Sequence, residues 1–247
     1  MRIAVLDCCC PNPEELSQFA SVGDLIIEWL QPHMGQAELV RIDAWGGEIL
    51  PASDDFDGFI VSGSELGVYD ETNWMPPVRQ LLLDIRDARR PVFGICFGHQ
   101  LMADTYGGKA EKINATYAAG SRRFQQAGNL PDGSGGEQFD AYVLHGDQVT
   151  SVPPGAMVTC AAGHCPVGAL AYDFPAMSVQ FHPEYERAYV EAVIDLMDGD
   201  LLKGREVADS HKSMETAQVA RDLYAREVAQ FLREGVSGRE FVERSRP

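Results

Sequence analysis

The chain has no apolar run long enough to span a bilayer, and it is short of positive charge. Its 247 residues carry 20 Lys and Arg against 37 Asp and Glu, a net charge of -17. The first absence leaves nothing that reads as a membrane span. The second disfavours nucleic acid and anionic membrane surfaces, which a field of this sign repels at long range. The opening stretch MRIAVLDCCC lacks the basic and apolar regions of a secretory signal, so a cytoplasmic protein is expected. The phosphate-cradling pattern GxxxxGK[ST] is also missing, which argues against a nucleotide site of that type. Paired CxxC spacing is absent as well. Of the six cysteines, Cys8, Cys9, Cys10, Cys96, Cys160 and Cys165, the first three are adjacent and the chain is too large to need staples, so reduced thiols are expected rather than a disulfide framework. Cys8 to Cys10, and the cluster of Cys160, His164 and Cys165, invite the thought of a soft metal but lack its ligand spacing; no metal is expected. The sequon at Asn114 is expected to be inert in the cytosol.

What is present is a chain long enough to bury a full core, with 45% hydrophobic residues. Ile3 to Leu6 reads as a strand, Pro13 to Leu30 as a helix, Glu38 to Ile42 and Phe59 to Val61 as further strands. Val78, Leu81, Leu82 and Ile85 mark a helix face at i, i+3, i+4 and i+7, and the strand PVFGIC follows. Strands alternating with helices argue an α/β fold, a doubly wound and mostly parallel sheet with helices on both faces. From Lys109 to Val179 the pieces are short and strand-like, with a glycine-rich PDGSGGEQ segment, and read as a small antiparallel second layer. MSVQFHPEY is then a strand, and Tyr189, Ala192, Val193 and Leu196 lie on one face of a following helix. Residues 201–247 read as a helical C-terminal extension; Tyr224, Val228, Phe231 and Leu232 could pack on the domain or on a second copy in a homo-oligomer.

The stretch PVFGICFGHQLMADTYGG sets a cysteine between glycines, with a strand before it and a helix after. Gly94 and Gly98 have no Cβ, so the backbone can turn tightly and the helix can approach closely. Cys96 sits at the apex, near the unpaired N–H groups of a helix N-terminus, which favour the thiolate. The N–H of Phe97 points into the same space and could bind an oxyanion. An inert buried cysteine would explain the strand but neither glycine.

A cysteine nucleophile needs a base, and a base needs something to orient it. Of the six histidines, His182 is the best placed, at a strand end within HPE. Pro183 biases His182 to extended geometry, in which Glu184 points to the same side and can reach the ring. That carboxylate would fix the tautomer and leave the other ring nitrogen facing the thiol.

Together, GICFGHQ and the later QFHPEY resemble the triad-type glutamine amidotransferases, and among them the amidotransferase domain of GMP synthase and its free-standing relatives. The resemblance runs from about Ile3 to Met197, so residues 1–200 are expected to form the amidotransferase-like domain. It implies a triad of Cys96, His182 and Glu184, with the SGSELG loop supplying the second oxyanion donor at Gly63 and Ser64. It also implies that Gln100 helps hold the amino-acid end of the substrate. LHGDQV is similar to the family's SHGD segment, which makes His145 and Asp147 substrate-side candidates; a turn role for Gly146 and Asp147 is the alternative. Glu65 and Leu66 stand where the family often has a proline, and Leu144 replaces a serine. Both changes bear on the substrate rather than on hydrolysis. Trp74, in YDETNW, either lines the pocket or anchors its loop.

The implied substrate is glutamine or a γ-glutamyl amide, cleaved without a cofactor. The ammonia then goes to a separate synthetase subunit, or the protein is a stand-alone γ-glutamyl hydrolase. Two rival readings remain. A cysteine variant of the α/β-hydrolase fold would use His211 with Asp173 or Asp195, and a domain of this fold could also serve only to bind a partner.

Overall fold

The computed structural model describes residues 1–113, 117–127 and 136–236. The Asn114 sequon, most of PDGSGGEQ and residues 237–247 lie outside the described residues. Among the described residues eleven strands and six α-helices follow one another. In the first half these are β1 (Arg2–Asp7), α1 (Val22–Leu30), β2 (Glu38–Asp43), β3 (Gly58–Val61), α2 (Met75–Asp87), β4 (Val92–Ile95) and α3 (Phe97–Thr105). Then come β5 (Lys109–Lys112), β6 (Ala118–Gln126), β7 (Gln138–His145), β8 (Asp147–Ser151), β9 (Ala156–Ala162), β10 (Cys165–Tyr172) and β11 (Ala176–Val179). Three helices close the fold: α4 (Arg187–Leu196), α5 (Arg205–Met214) and α6 (Arg221–Val236).

The main sheet has the order β2-β1-β3-β4-β11-β10-β9-β6-β7. Its first five strands pair in parallel and the remaining pairs are antiparallel. The antiparallel half divides: β5 and β8 form a separate two-stranded sheet, and the other strands extend the main one. In β1 the side chains alternate between two cores. Ile3 and Val5 face α1, α4 and α6, through Ile26, Ile194 and Val228, whereas Ala4 and Leu6 face α2 and α3, through Leu82 and Leu101. Burial on both faces explains why these strands are apolar runs rather than alternating ones.

Two expectations need correction. The helix expected over Pro13 to Leu30 is broken into a 3-10 turn at Glu14–Leu16 and α1. Ser21 is the N-cap and its side chain accepts from the Asp24 N–H, while Asn12 Nδ2 donates to the carbonyls of Phe19 and Ala20 at 3.1 and 3.0 Å. Local side-chain bonds thus outcompete continuous helix there. The buried face of α4 is Tyr189, Val190 and Ile194, and Leu196 is 42% exposed. As expected, the C-terminal segment is helical, with α5 and α6 among its described residues, and of the two packings expected for Tyr224, Val228, Phe231 and Leu232 the structure shows the one on the chain's own core.

Candidate active site

One residue separates β4 from α3. Cys96 occupies that place at φ 51 and ψ -101, backbone that favours glycine, and its N–H donates to Val179 O at 2.8 Å. The reversal is held by close approach. A Cβ on Gly94 would stand 2.8 Å from the Gly98 carbonyl carbon, and one on Gly98 would strike the Val61 carbonyl. The Gly98 N–H donates to Ser62 O at 3.0 Å, tying α3 to the loop after β3. Strain of this kind costs about 1–3 kcal/mol and marks sites where surrounding structure holds a side chain in place for use.

Around Cys96 the carboxyl ends of the parallel strands form a cleft of about 680 Å³. Cys96, Gln100, Gly63, Ser64, His145, Asp147 and His182 all line it. Phe97 is the first residue of α3, where backbone N–H groups have no partner within the helix. Its ring turns away and packs on Trp74, 5.7 Å between centroids, and Trp74 packs on Trp45 at 5.8 Å. Trp74 therefore anchors its loop to the residue after Cys96. It lines a second, larger groove near Ala44–Leu50 that contains neither Cys96 nor His182.

His182 Nδ1 lies 2.7 Å from Glu184 Oε1. Its backbone N–H donates to Tyr142 O at 2.8 Å, and its ring stacks on Tyr185 at 4.3 Å and 12°. Burial alone would disfavour charge on this ring, but the Glu184 carboxylate and the adjacent Cys96 sulfur outweigh it and push the pKa up to about 10. Glu184 is fully buried, and its Oε2 has no hydrogen-bond partner among the described residues. Arg221, at the start of α6, steadies the backbone here: Nε and Nη2 donate to Glu184 O at 3.1 and 2.9 Å.

The other side of the cleft is a hydrogen-bonded chain. Gln180 Nε2 donates to Cys96 Sγ at 3.5 Å, and Gln180 Oε1 accepts from Gln100 Nε2 at 3.1 Å. Gln100 Nε2 also donates to Asp147 O at 3.0 Å, so Oε1 is the atom it can offer a ligand. His145 Nδ1 lies 3.1 Å from the same Asp147 carbonyl. Since a carbonyl only accepts, Nδ1 carries the proton, and burial, which drives the ring's pKa down to about 3, keeps it neutral. His145 thus braces the backbone of the Leu144–Asp147 turn, and the Leu144 carbonyl lies 3.8 Å from Cys96 Sγ. The Asp147 carboxylate reaches the hydroxyl of Tyr69.

Gln180, Tyr185, Tyr69 and Arg221 were not singled out by sequence reasoning. Gln180 sits inside QFHPEY, so the motif itself carried that signal; Arg221 had none. His211 Nε2 and Asp195 Oδ1 do meet, at 2.8 Å, but at the surface between α4 and α5, and neither lines the cleft. Among the described residues no group of three or more His, Cys, Asp or Glu could hold a metal ion. All six cysteines are free, and burial pushes the Cys160 and Cys165 thiols up to about 12.

With this geometry in view, comparison with known proteins is decisive at the level of family. The model of the glutamine amidotransferase class-I family matches residues 19–189. The chain belongs to this family. Among amidotransferase relatives, γ-glutamyl peptidase 5 of Arabidopsis thaliana is 27% identical over 187 residues, 73% of this chain and 74% of that one. GMP synthase [glutamine-hydrolyzing] of Azoarcus sp. (strain BH72) is 36% identical over 136 residues, 51% of this chain but 25% of the synthase. A glutamine amidotransferase from Methylobacillus flagellatus shares the fold, with a TM-score of 0.69 at 19% identity over 94% of each chain. The α/β-hydrolase alternative falls with this assignment. No described helix is long and apolar enough to cross a membrane.

Proposed function

We propose that this chain hydrolyses the γ-carboxamide of glutamine or of a γ-glutamyl amide through a thioester on Cys96. The observation that carries the reading is the strained turn that sets Cys96 in one cleft with an imidazole whose far nitrogen is held at 2.7 Å by a buried carboxylate. The Cys96 sulfur attacks the γ-carbonyl beside the His182 ring, which already holds its proton on Nε2. The N–H groups of Phe97 and of the Gly63–Ser64 loop receive the oxyanion. His182 then protonates the departing nitrogen, the amine leaves, and a γ-glutamyl thioester remains. Water, giving its proton to His182, cleaves the thioester to free glutamate and restores the thiol. Gln100 Oε1, Tyr69 and Asp147 provide acceptors and a donor for the substrate's amino-acid end. In this reading residues 1–200 carry the chemistry, and the segment from residue 201 completes the core and supports Glu184 through Arg221.

Two fates of the released nitrogen follow from the relatives. The match to the γ-glutamyl peptidase spans 73% of this chain and that to the synthase 51%, which supports a stand-alone hydrolase over a subunit that passes ammonia to a synthetase. The test is turnover of glutamine and a panel of γ-glutamyl amides by the purified protein. Glutamate release without a partner is expected; turnover only in the presence of an ATP-dependent synthetase subunit would favour the second fate.

The raised pKa of His182 has a consequence for rate and stability. The protonated ring serves the departing amine, so kcat/KM is expected to fall as pH rises through about 10. Glu184→Gln removes the charge that holds the proton and should bring this fall to lower pH, with a loss of roughly 10²–10⁴-fold at neutral pH. A raised folded-state pKa stabilises the fold fully below the unfolded value of 6.5, and that contribution is lost as pH rises towards about 10. Melting temperature should therefore decline over that window, and less so in Glu184→Gln. An alkaline limb that does not move in the variant would contradict the assignment.

A further inference from the structure

His182 stands on the side of the scissile bond from which the amine departs, because it must protonate that nitrogen. Whatever extends from His182 along the cleft therefore meets the leaving group. What extends is a continuous wall: His182 stacks on Tyr185, Tyr185 lies 4.5 Å from Tyr189, and Tyr189 begins a stripe of α4 that continues through Val193 and Met197 at spacings of four residues. The turn after α4 brings Asp200, Leu201 and Lys203 to the same cleft. Leu201 is 48% exposed there, an apolar side chain left open to solvent beside the chemistry. The facing wall is Cys9 with Glu65, whose carboxylate is engaged by the Cys10 N–H at 3.2 Å and the Cys9 thiol at 3.5 Å.

Ammonia needs no such wall. We propose that Val193, Met197, Leu201 and Lys203 form a leaving-group subsite that selects γ-glutamyl peptides whose second residue has an apolar side chain and a carboxylate within reach of Lys203. The proposal rests on the hydrolytic reading above and adds which amine that reaction prefers. The apolar stripe takes the side chain, and the Lys203 ammonium, at the solvent-facing end, takes the carboxylate. Asp200 opposes this second contact, since its charge has the sign of the ligand's, and its removal should strengthen it.

The experiment compares glutamine, γ-glutamylglycine, γ-glutamylleucine and γ-glutamylleucinamide as substrates of the full chain and of three variants at exposed or half-buried positions. Wild type should prefer γ-glutamylleucine over γ-glutamylglycine by about tenfold or more. Lys203→Met should lower kcat/KM for γ-glutamylleucine by about tenfold while leaving glutamine and γ-glutamylleucinamide unchanged. Asp200→Asn should raise the ratio of γ-glutamylleucine to γ-glutamylleucinamide, and Met197→Ser should erase the preference for leucine over glycine. A ratio of acid to amide that Lys203→Met does not change, or an equal loss on every substrate, overturns the subsite alone. Failure of wild type to cleave any of the four compounds overturns the hydrolytic reading and the subsite with it.

Discussion

Replacing Cys96 by alanine is expected to abolish glutamate release, by about 10⁴-fold or more for a group whose loss disables the whole relay. The fold should survive, because the change removes a single sulfur atom from a buried side chain. The backbone makes a sharper prediction. Position 96 holds a side chain at φ 51 and ψ -101, where glycine is at ease and other residues are not. Cys96→Gly should therefore be as inactive as Cys96→Ala yet more stable than it, by about 1 kcal/mol. Thermal unfolding of the two variants beside the wild type measures this directly. A glycine variant no more stable than the alanine variant would mean that the turn stores no strain.

Gly98→Ala should damage the protein from two residues further along, in the first turn of α3. A methyl there meets main chain rather than a yielding side chain, with the Val61 carbonyl carbon 2.9 Å away. Relief requires α3 to move off β3, which breaks the bond from the Gly98 N–H to Ser62 O. Overpacking against backbone is expected to cost about 2–3 kcal/mol, or roughly 5–10 °C of melting temperature in a domain of this size. Activity should fall further than stability, since Cys96 and the Phe97 N–H travel with the helix. Gly163, with nothing within 4 Å of an added Cβ, is the control; Gly163→Ala should change stability by less than about 0.5 kcal/mol.

These two residues also mark what the sequence made legible. Cys96, Gly94 and Gly98 lie within five positions, and His182 and Glu184 within three, so local geometry alone carries their meaning. The parallel strands were readable for the same reason, since burial on both faces writes itself as short apolar runs. Contacts between distant segments left no such mark. Arg221 supports Glu184 from 37 residues away with an arginine that reads as one more charge on an amphipathic helix. The break at Ser21 depends on Asn12 bonding to carbonyls up to eight residues on, which no helical periodicity reveals. The antiparallel strands that lengthen the sheet beyond β11 were recognisable as strands, but their order depends on long-range pairing.

The distinction between catalytic and supporting residues follows the same division. In the proposed reaction Cys96, His182 and the N–H groups of Phe97 and the Gly63–Ser64 loop act on the reacting atoms, whereas Gln180, His145, Tyr185 and Arg221 hold those groups still. Gln180 Nε2 donates to the Cys96 sulfur, and its Oε1 accepts from Gln100, so in the proposed reaction substrate binding and nucleophile position share one network.

The most direct measurement is covalent. A glutamine analogue carrying a chloromethyl ketone in place of the amide, incubated with the full chain and followed by peptide mass spectrometry, should alkylate the Cys96 sulfur with loss of chloride and add one glutamine-like group to the peptide containing it. Free glutamine should protect against it, and Glu184→Gln should slow it. Labelling at Cys9 or Cys10 in place of Cys96, or labelling that glutamine does not suppress, would contradict the account.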